Sequence, residues 1–356
     1  MKHTIRMLSF VLIFLLTGCG WMNRSYVSVE PHREQRQSVQ ADAIMASNYL
    51  ELLDALRDMI ASGTEVAAIK VPEYPEDALS SAMERAVLHT RINNPIGAYA
   101  VTDIDYELGS SGGIPAISVS IAYHHNRSEI QRIRKASNIQ AAERLAAEAL
   151  RNYEPVIVIL VDEYENRDFS QFVQDYGQEN PQIIMEIPQV RQNTYGTGKD
   201  RLLELIFTYQ TSRDSLRQMQ AQVQRIFASA ALYINPDAAD PLKYEQLYNF
   251  LMERSDYQIE TSITPAYSLL THGVGDSETF AMVYAAMCRQ ADLDCMIVSG
   301  TRQGEPWYWN LIREEERYYH LDLLRCSEAG QFQKLTDAEM QGYVWDYSAY
   351  PGQEKE

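Results

Sequence analysis

The sequence predicts an α+β protein of more than one domain, and three observations carry that expectation. The chain has 356 residues, 46% hydrophobic and 22% charged, which is ordinary globular composition and more than one core usually holds. Along the middle of the chain, strand-like alternation and helix-like periodicity run through the same order twice. From Lys243 the pattern changes to helices followed by three consecutive strand-like runs, the order of a helix packed on an antiparallel sheet.

Thirty-one Lys and Arg stand against 49 Asp and Glu, a formal charge of −18. A basic face that condenses on nucleic acid is therefore not expected. Tyr outnumbers Phe by 23 to 9, which suits extensive half-wet aromatic surface. Four Cys in so long a chain do not make a disulfide scaffold.

Residues 1–19 read MKHTIRMLSFVLIFLLTGC. Lys2 and Arg6 form a positive n-region ahead of an apolar run, Met7–Leu16, of ten residues. A membrane span needs about twenty, so a cleaved signal peptide fits better. The run closes in Leu16-Thr17-Gly18-Cys19, which resembles a bacterial lipobox. That resemblance implies cleavage after residue 18, lipidation of Cys19, and residence on the extracytoplasmic face of a bacterial membrane. Cleavage removes Lys2 and Arg6 and no acidic residue, so adhesion would rest on acyl chains and not on a polybasic patch. Residues 19–43 read as a tether, with an alternative strand at Ser25–Val29.

Asn48 opens a helix with capping-box spacing, and Gly63 is its natural stop. The repeat follows. ISVSIAYHHNRSEIQRIR from Ile117 matches LELIFTYQTSRDSLRQMQ from Leu203 at a constant offset of 86. In each, alternating apolar residues end in Tyr (Tyr123, Tyr209), an Arg follows (Arg127, Arg213), and helical spacing resumes at Ile130 and Ile133 or Leu216 and Met219. Asn94-Pro95 and Asn180-Pro181 share that offset, while Val71-Pro-Glu-Tyr74 and Val161-Asp-Glu-Tyr164 are 90 apart. Two β-α-β-β-α units are expected, over residues 64–152 and 154–234, stacked to bury a shared face. Val156–Val161, wholly aliphatic, reads as a central strand covered on both sides. His124, His125, Asp162, Glu163 and Glu165 do not read as a metal cluster. Adjacent strand residues face opposite ways, and the acidic group lies in a loop. No metal or cofactor is expected.

In the last third, Leu247, Phe250 and Leu251 mark a helix, and Thr264-Pro265 opens a second in N-cap, N1 order. Gly273-Val-Gly-Asp-Ser-Glu-Thr-Phe-Ala281 leads into a helix through Ala291. Strands are expected at Asp294–Thr301, Trp307–Arg313 and Arg317–Leu323. Three stretches, GVGDSETFAMVYAAMCRQADLDCMIVSGT, GEPWYWNLI and RYYHLDLL, together resemble the transglutaminase-like branch of the papain-like fold, over roughly residues 241–325. In that family a Cys opens the central helix, a His precedes Ala-Trp-Asn on one strand, and an Asp lies on the next. The helix N-terminus favours a thiolate, the His moves its proton, and the Asp orients the imidazole.

Carried over residue by residue, the Cys position falls on Ser277, the His position on Trp307 and the Asp position on Asp322; Trp309 and Asn310 match the family's Trp-Asn. A Ser hydroxyl needs a base, and an indole nitrogen only donates, so the resemblance implies a degenerate triad and a catalytically silent domain. The alternative is an active hydrolase or acyltransferase using Ser277 with His320 or His272 and Asp322. Asp276 reads as the helix cap. Cys288, eleven residues beyond Ser277, is a displaced-nucleophile candidate expected to be buried. Of Cys288, Cys295 and Cys326, one pair would bridge outside the cell, or all three are small buried hydrophobes. Trp307, Tyr308, Trp309, Tyr318 and Tyr319 concentrate around the groove, and an aromatic cleft with acidic rims suits a polypeptide or cell-wall fragment.

The expected organisation is thus a signal peptide (1–18), a tether (19–43), a first helix and unit (44–152), a second unit (153–236), a transglutaminase-like domain (237–330) and a tail (331–356). The tail holds a short helix from Thr336. The function expected is a lipid-anchored binding or scaffolding protein.

Overall fold

The computed structural model describes residues 44–253 and 257–350. The expected signal peptide, Cys19 and the expected tether, with its alternative strand, lie outside the described residues. Among the described residues no helix is long and apolar enough to cross a membrane.

The first body of structure runs β1 (Ile44–Met45), α1 (Tyr49–Ser62), β2 (Val66–Lys70), α2 (Glu76–Ile92), α3 (Pro95–Ala100), β3 (Val101–Ser111) and β4 (Ile114–Tyr123). Asn48 caps α1 by accepting the Glu51 N–H, and Gly63 ends it at φ +64°, where only glycine is free of strain. The sheet order is β1-β2-β4-β3, with β1 parallel to β2 and the remaining pairs antiparallel. One face is packed by α1 and α2 through Leu52, Leu56, Met59, Met83, Ile69, Ile117 and Val119.

A single turn, α4 (Arg127–Ile130), leads to β5 (Arg134–Ala136), α5 (Ile139–Arg151), β6 (Val156–Val161), α6 (Phe169–Glu179), β7 (Gln189–Tyr195), β8 (Arg201–Thr208) and α7 (Arg213–Tyr233). The second sheet is ordered β5-β6-β8-β7, again with the first pair parallel and the rest antiparallel. Each sheet thus begins one strand and one helix ahead of the β-α-β-β-α pattern expected from the sequence. The expected boundary at 152/153 falls inside the second unit, because α5 and β6 share one core with Leu203, Leu205 and Phe207. The helix expected beyond Ile130 ends at once in β5, whereas its counterpart after Tyr209 runs for 21 residues. β6 is central but alternates: Ile157, Ile159 and Val161 are buried while Val156 is 41% exposed.

The two sheets do not stack face to face. Instead Tyr99, Ala100 and Ile130 of the first unit pack on Leu202, Val158 and Leu160 of the second. The β7–β8 turn fastens this seam. Gly196 has φ +86°, and a Cβ there would lie 2.9 Å from Pro95 Cα, while Thr197 Oγ1 donates to Asn93 Oδ1 at 2.8 Å.

The remainder comprises α8 (Asp240–Met252), α9 (Pro265–Tyr267) with a π turn to His272, α10 (Ser277–Gln290), β9 (Cys295–Arg302), β10 (Glu305–Glu314), β11 (Arg317–Leu321), α11 (Leu323–Ala329) and β12 (Tyr343–Trp345). α10 is buried along its length, with Phe280, Val283, Tyr284, Met287 and Cys288 in the largest core. The antiparallel sheet is ordered β11-β10-β9-β12. Residues expected to form a tail therefore supply its edge strand, and the Thr336 helix is one 3₁₀ turn closed by a Thr336–Glu339 capping box. A Cβ on Gly300 would meet Val344 O at 2.2 Å and the Trp309 ring at 2.9 Å. Gly300→Ala is expected to unseat β12 and lower unfolding stability by about 2 kcal/mol, read by urea denaturation; an unchanged midpoint would show that β12 does not depend on that close approach.

Candidate functional site

The site forms where the start of α10 meets β10 and the end of β11. Asp276 caps α10: its Oδ1 accepts the Thr279 N–H at 2.9 Å and the Thr279 hydroxyl at 2.7 Å. Ser277 is therefore the first helical residue, at the positive end of the helix dipole, and is 8% exposed. Its hydroxyl accepts the Tyr308 backbone N–H at 3.2 Å, which sets it beside the Trp307 position on β10. Asn310, fully buried, donates to Ala281 O at 2.8 Å and ties strand to helix.

Asp322 is 2% exposed and both its oxygens are taken. Oδ1 accepts the Leu324 and Arg325 backbone N–H groups at 3.1 and 3.2 Å, capping α11. Oδ2 accepts the Trp307 indole N–H at 2.9 Å and the Tyr343 hydroxyl at 2.6 Å, with Arg302 at 3.8 Å. Arg302 also lies over the Trp307 and Tyr343 rings, 5.1 and 5.8 Å from their centroids. Burial first, then the Asp322 charge, raises the Tyr343 phenol well above its ordinary range. A small void bounded by Ser277, Phe280, Asn310 and Asp322 is too narrow for a water molecule.

Neither proposed rescuing histidine reaches Ser277. His320 is 1% exposed. Its Nδ1 accepts the Trp309 indole N–H at 2.8 Å, and its Nε2 lies 2.8 Å from Asp337 Oδ1, so the ring is a neutral tautomer with its proton on Nε2. His272 is exposed at the end of the π turn, edge-on to Tyr267 at 5.4 Å. Among the described residues the Ser277 hydroxyl has no imidazole partner. Cys288 is fully buried, and burial drives its thiol well above the ordinary range. Cys288, Cys295 and Cys326 are all free and buried, and Cys326, pushed up to about 11 mainly by burial, exchanges two 3.3 Å contacts with the Gln333 backbone.

The five aromatics do not gather into one groove. Trp309 is 1% exposed, packed in a core with Val298, Tyr343 and Trp345. Tyr318 and Tyr319 pair with Arg313 and Ile312, so they stand five to six residues along β10 from Trp307, about 17–20 Å at strand rise. There Arg313 lies over Tyr318 and Lys334 over Tyr319. Only Trp307 and Tyr308 remain beside Ser277. Burial, then Glu278 and Asp276, raises the Tyr308 phenol. Glu278 is itself raised by burial, opposed by a 2.6 Å hydrogen bond from Gln178 of α6. Sequence reading missed Tyr343 and Arg302, both partners of Asp322; the aromatic alternation of Tyr343-Val344-Trp345 after Gly342 was the signal for the first. Among the described residues no group of three or more His, Cys, Asp or Glu is arranged to hold a metal ion.

Residues 230–346 match the family model of the transglutaminase-like superfamily. The chain therefore carries a transglutaminase-like domain, which runs past residue 330, where the sequence reading had ended it, and takes in β12. A crystal structure of a TGase aligns at 9% identity with a TM-score of 0.26, covering 61% of this chain and 63% of that one; the chain thus spans less than two thirds of that structure's length. No curated protein matches the chain.

Burial lowers the His320 pKa below its ordinary 6.5, with the Asp337 contact opposing. The unfolded chain therefore takes up this proton first as pH falls, so the contribution is whole above 6.5 and is lost as pH drops towards the folded value. Between pH about 7.5 and about 5 the melting temperature is expected to fall more steeply for the wild type than for His320→Gln. Parallel curves in thermal denaturation would remove His320 from the acid response.

Proposed function

We propose that this is a lipid-anchored protein of the bacterial envelope whose transglutaminase-like domain holds a polypeptide or cell-envelope component without turning it over. The observation that carries the reading is the Trp307–Asp322 hydrogen bond. The indole keeps the donor that an imidazole would present to the carboxylate, but has no basic nitrogen to offer Ser277. Further support comes from Ser277 itself, whose hydroxyl is held by a backbone N–H, and from the engagement of both His320 nitrogens elsewhere. On this reading two of the family's three catalytic positions, Ser277 and Trp307, are degenerate, and the ligand would lie along Tyr308, Glu278 and Asp276 at the mouth of α10. An acidic and aromatic rim favours a ligand with exposed amides or cationic groups.

We infer also that the two sheet units descend from one repeated unit. The matched segments at offsets of 86 and 90 and the shared strand order support this. The N-terminal anchor rests on the lipobox resemblance at Cys19, and with it the extracytoplasmic location.

The catalytic alternative is tested with a fluorophosphonate probe. No labelling of the wild-type chain is expected. Labelling that disappears in Ser277→Ala would establish an activated hydroxyl and defeat the binding reading. For the anchor, the wild type is expected to partition into the detergent phase when expressed in a bacterium, and Cys19→Ala into the aqueous phase; equal partitioning would defeat lipidation at Cys19.

A further inference from the structure

At the seam between the two sheet units a cleft of about 560 Å³ opens between the outer face of the second sheet and the end of β4. Its floor is Glu204, on β8 between Val158 of β6 and Asn193 of β7. Glu204 is only 8% exposed. Its Oε2 accepts Asn193 Nδ2 at 2.8 Å and the Tyr195 hydroxyl at 3.0 Å. Among the described residues its Oε1 has no hydrogen-bond partner, and the residue lines the cleft. Among the described residues no Lys, Arg or His comes within ion-pair distance of this carboxylate. Arg134, on the same rim, is spent on Glu148 and Glu154 at 3.2 and 3.3 Å.

A carboxylate in the middle of a sheet loses much of its hydration, and without a cation that loss is only partly offset by two hydrogen bonds. The rim mixes charge, with Glu129 and Glu154 beside Arg132 and Arg134, while the walls nearest Glu204 are aromatic and aliphatic. Tyr99 and His125 stack with centroids 4.0 Å apart and planes 7° from parallel, and Val156 and Val158 supply an apolar strip. Burial, and next the Glu204 charge, pushes the Tyr99 phenol up to about 12.

We propose that this cleft binds a primary alkylammonium group, its charge meeting the free oxygen of Glu204 and its aliphatic stem lying along Val156 and Val158. The site is distinct from the α10 mouth and does not depend on the reading given above for that region. The chemistry is shared by small amines and by a lysine side chain. Titration calorimetry on the full chain therefore uses n-butylammonium and Nα-acetyl-lysine amide as separate arms, with n-butanol as the uncharged control of like shape.

Saturable binding of n-butylammonium is expected, with none for n-butanol. Binding of the lysine amide as well would assign a peptide-borne amine, and its failure beside n-butylammonium a small free one. Glu204→Gln keeps an oxygen for Asn193 and Tyr195 and is expected to weaken binding about ten-fold or more, the loss of one charge-assisted hydrogen bond. Val156→Lys, at a half-exposed position on the rim, places a tethered ammonium in the cleft and is expected to abolish binding with an unchanged melting temperature. The proposal is overturned by the absence of saturable n-butylammonium binding, by equal binding of n-butanol, or by affinity that survives both replacements.

Discussion

One buried carboxylate holds the C-terminal domain together. Asp322 gathers donors from three separate pieces of chain: the backbone at the start of α11, the indole of Trp307 on β10, and the hydroxyl of Tyr343 on β12. In a setting almost closed to water, an ionised carboxylate is tolerated only when its lone pairs are filled, and each donor removed leaves charge unbalanced. Arg302 completes the arrangement by stacking over both aromatic partners of Asp322 while pairing with Glu328 at 2.7 Å. β12 is thereby tied to the strand hairpin that precedes it by tens of residues. That is why the domain cannot stop at Leu324 or at residue 330.

The two sheet units satisfy the same topology with different chemistry at one corner. In the first, Tyr123 donates its hydroxyl to Met59 O and Thr64 O at 3.2 and 2.9 Å, sealing the end of α1 where Gly63 turns the chain. In the second, the left-handed turn position is Tyr153, with φ 50°, and its ring packs edge-on against Tyr209 at 5.7 Å. Among the described residues Tyr209 is left with a buried hydroxyl that has no partner, and burial raises its pKa far above the ordinary value. Tyr153 has taken over the tie instead, donating to Ile183 O at 2.7 Å and accepting the Met185 N–H at 3.2 Å. The strain of a non-glycine residue in that turn, of order 1 kcal/mol, is borne where a large side chain gains a core position and two hydrogen bonds.

What the sequence disclosed and what it hid follow from range. Elements set by local pattern were legible: the alternation of β9 to β11, the Asp276 cap, and the Gly63 stop. β5 was not, because Arg134-Lys-Ala is three residues long and is a strand only through its parallel pairing with β6. Parity placed Trp307 and Trp309 on one face correctly, but parity carries no depth. Trp309 lies under β12, which the sequence reading had left outside the domain. Tyr318 and Tyr319 are near Trp307 along the hairpin in sequence, yet antiparallel pairing carries them to its far end. Glu204 gave no local signal at all. A lone Glu in an apolar strand becomes notable only when the seam shows that, among the described residues, no cation lies within ion-pair distance of it.

The proposed binding role turns on a narrow chemical difference. Imidazole offers a carboxylate one N–H and keeps a second nitrogen for proton transfer; indole offers the same N–H and has no second nitrogen. On the proposed reading, an indole in place of an imidazole at the Trp307 position would keep the tie to Asp322 while removing the group that would activate a nucleophile at Ser277. The same substitution enlarges the ring and lets Arg302 stack on it, a cation–π contact worth about 0.5–2 kcal/mol. The fold can be kept by the very contact that, with a different ring, would have been the catalytic one.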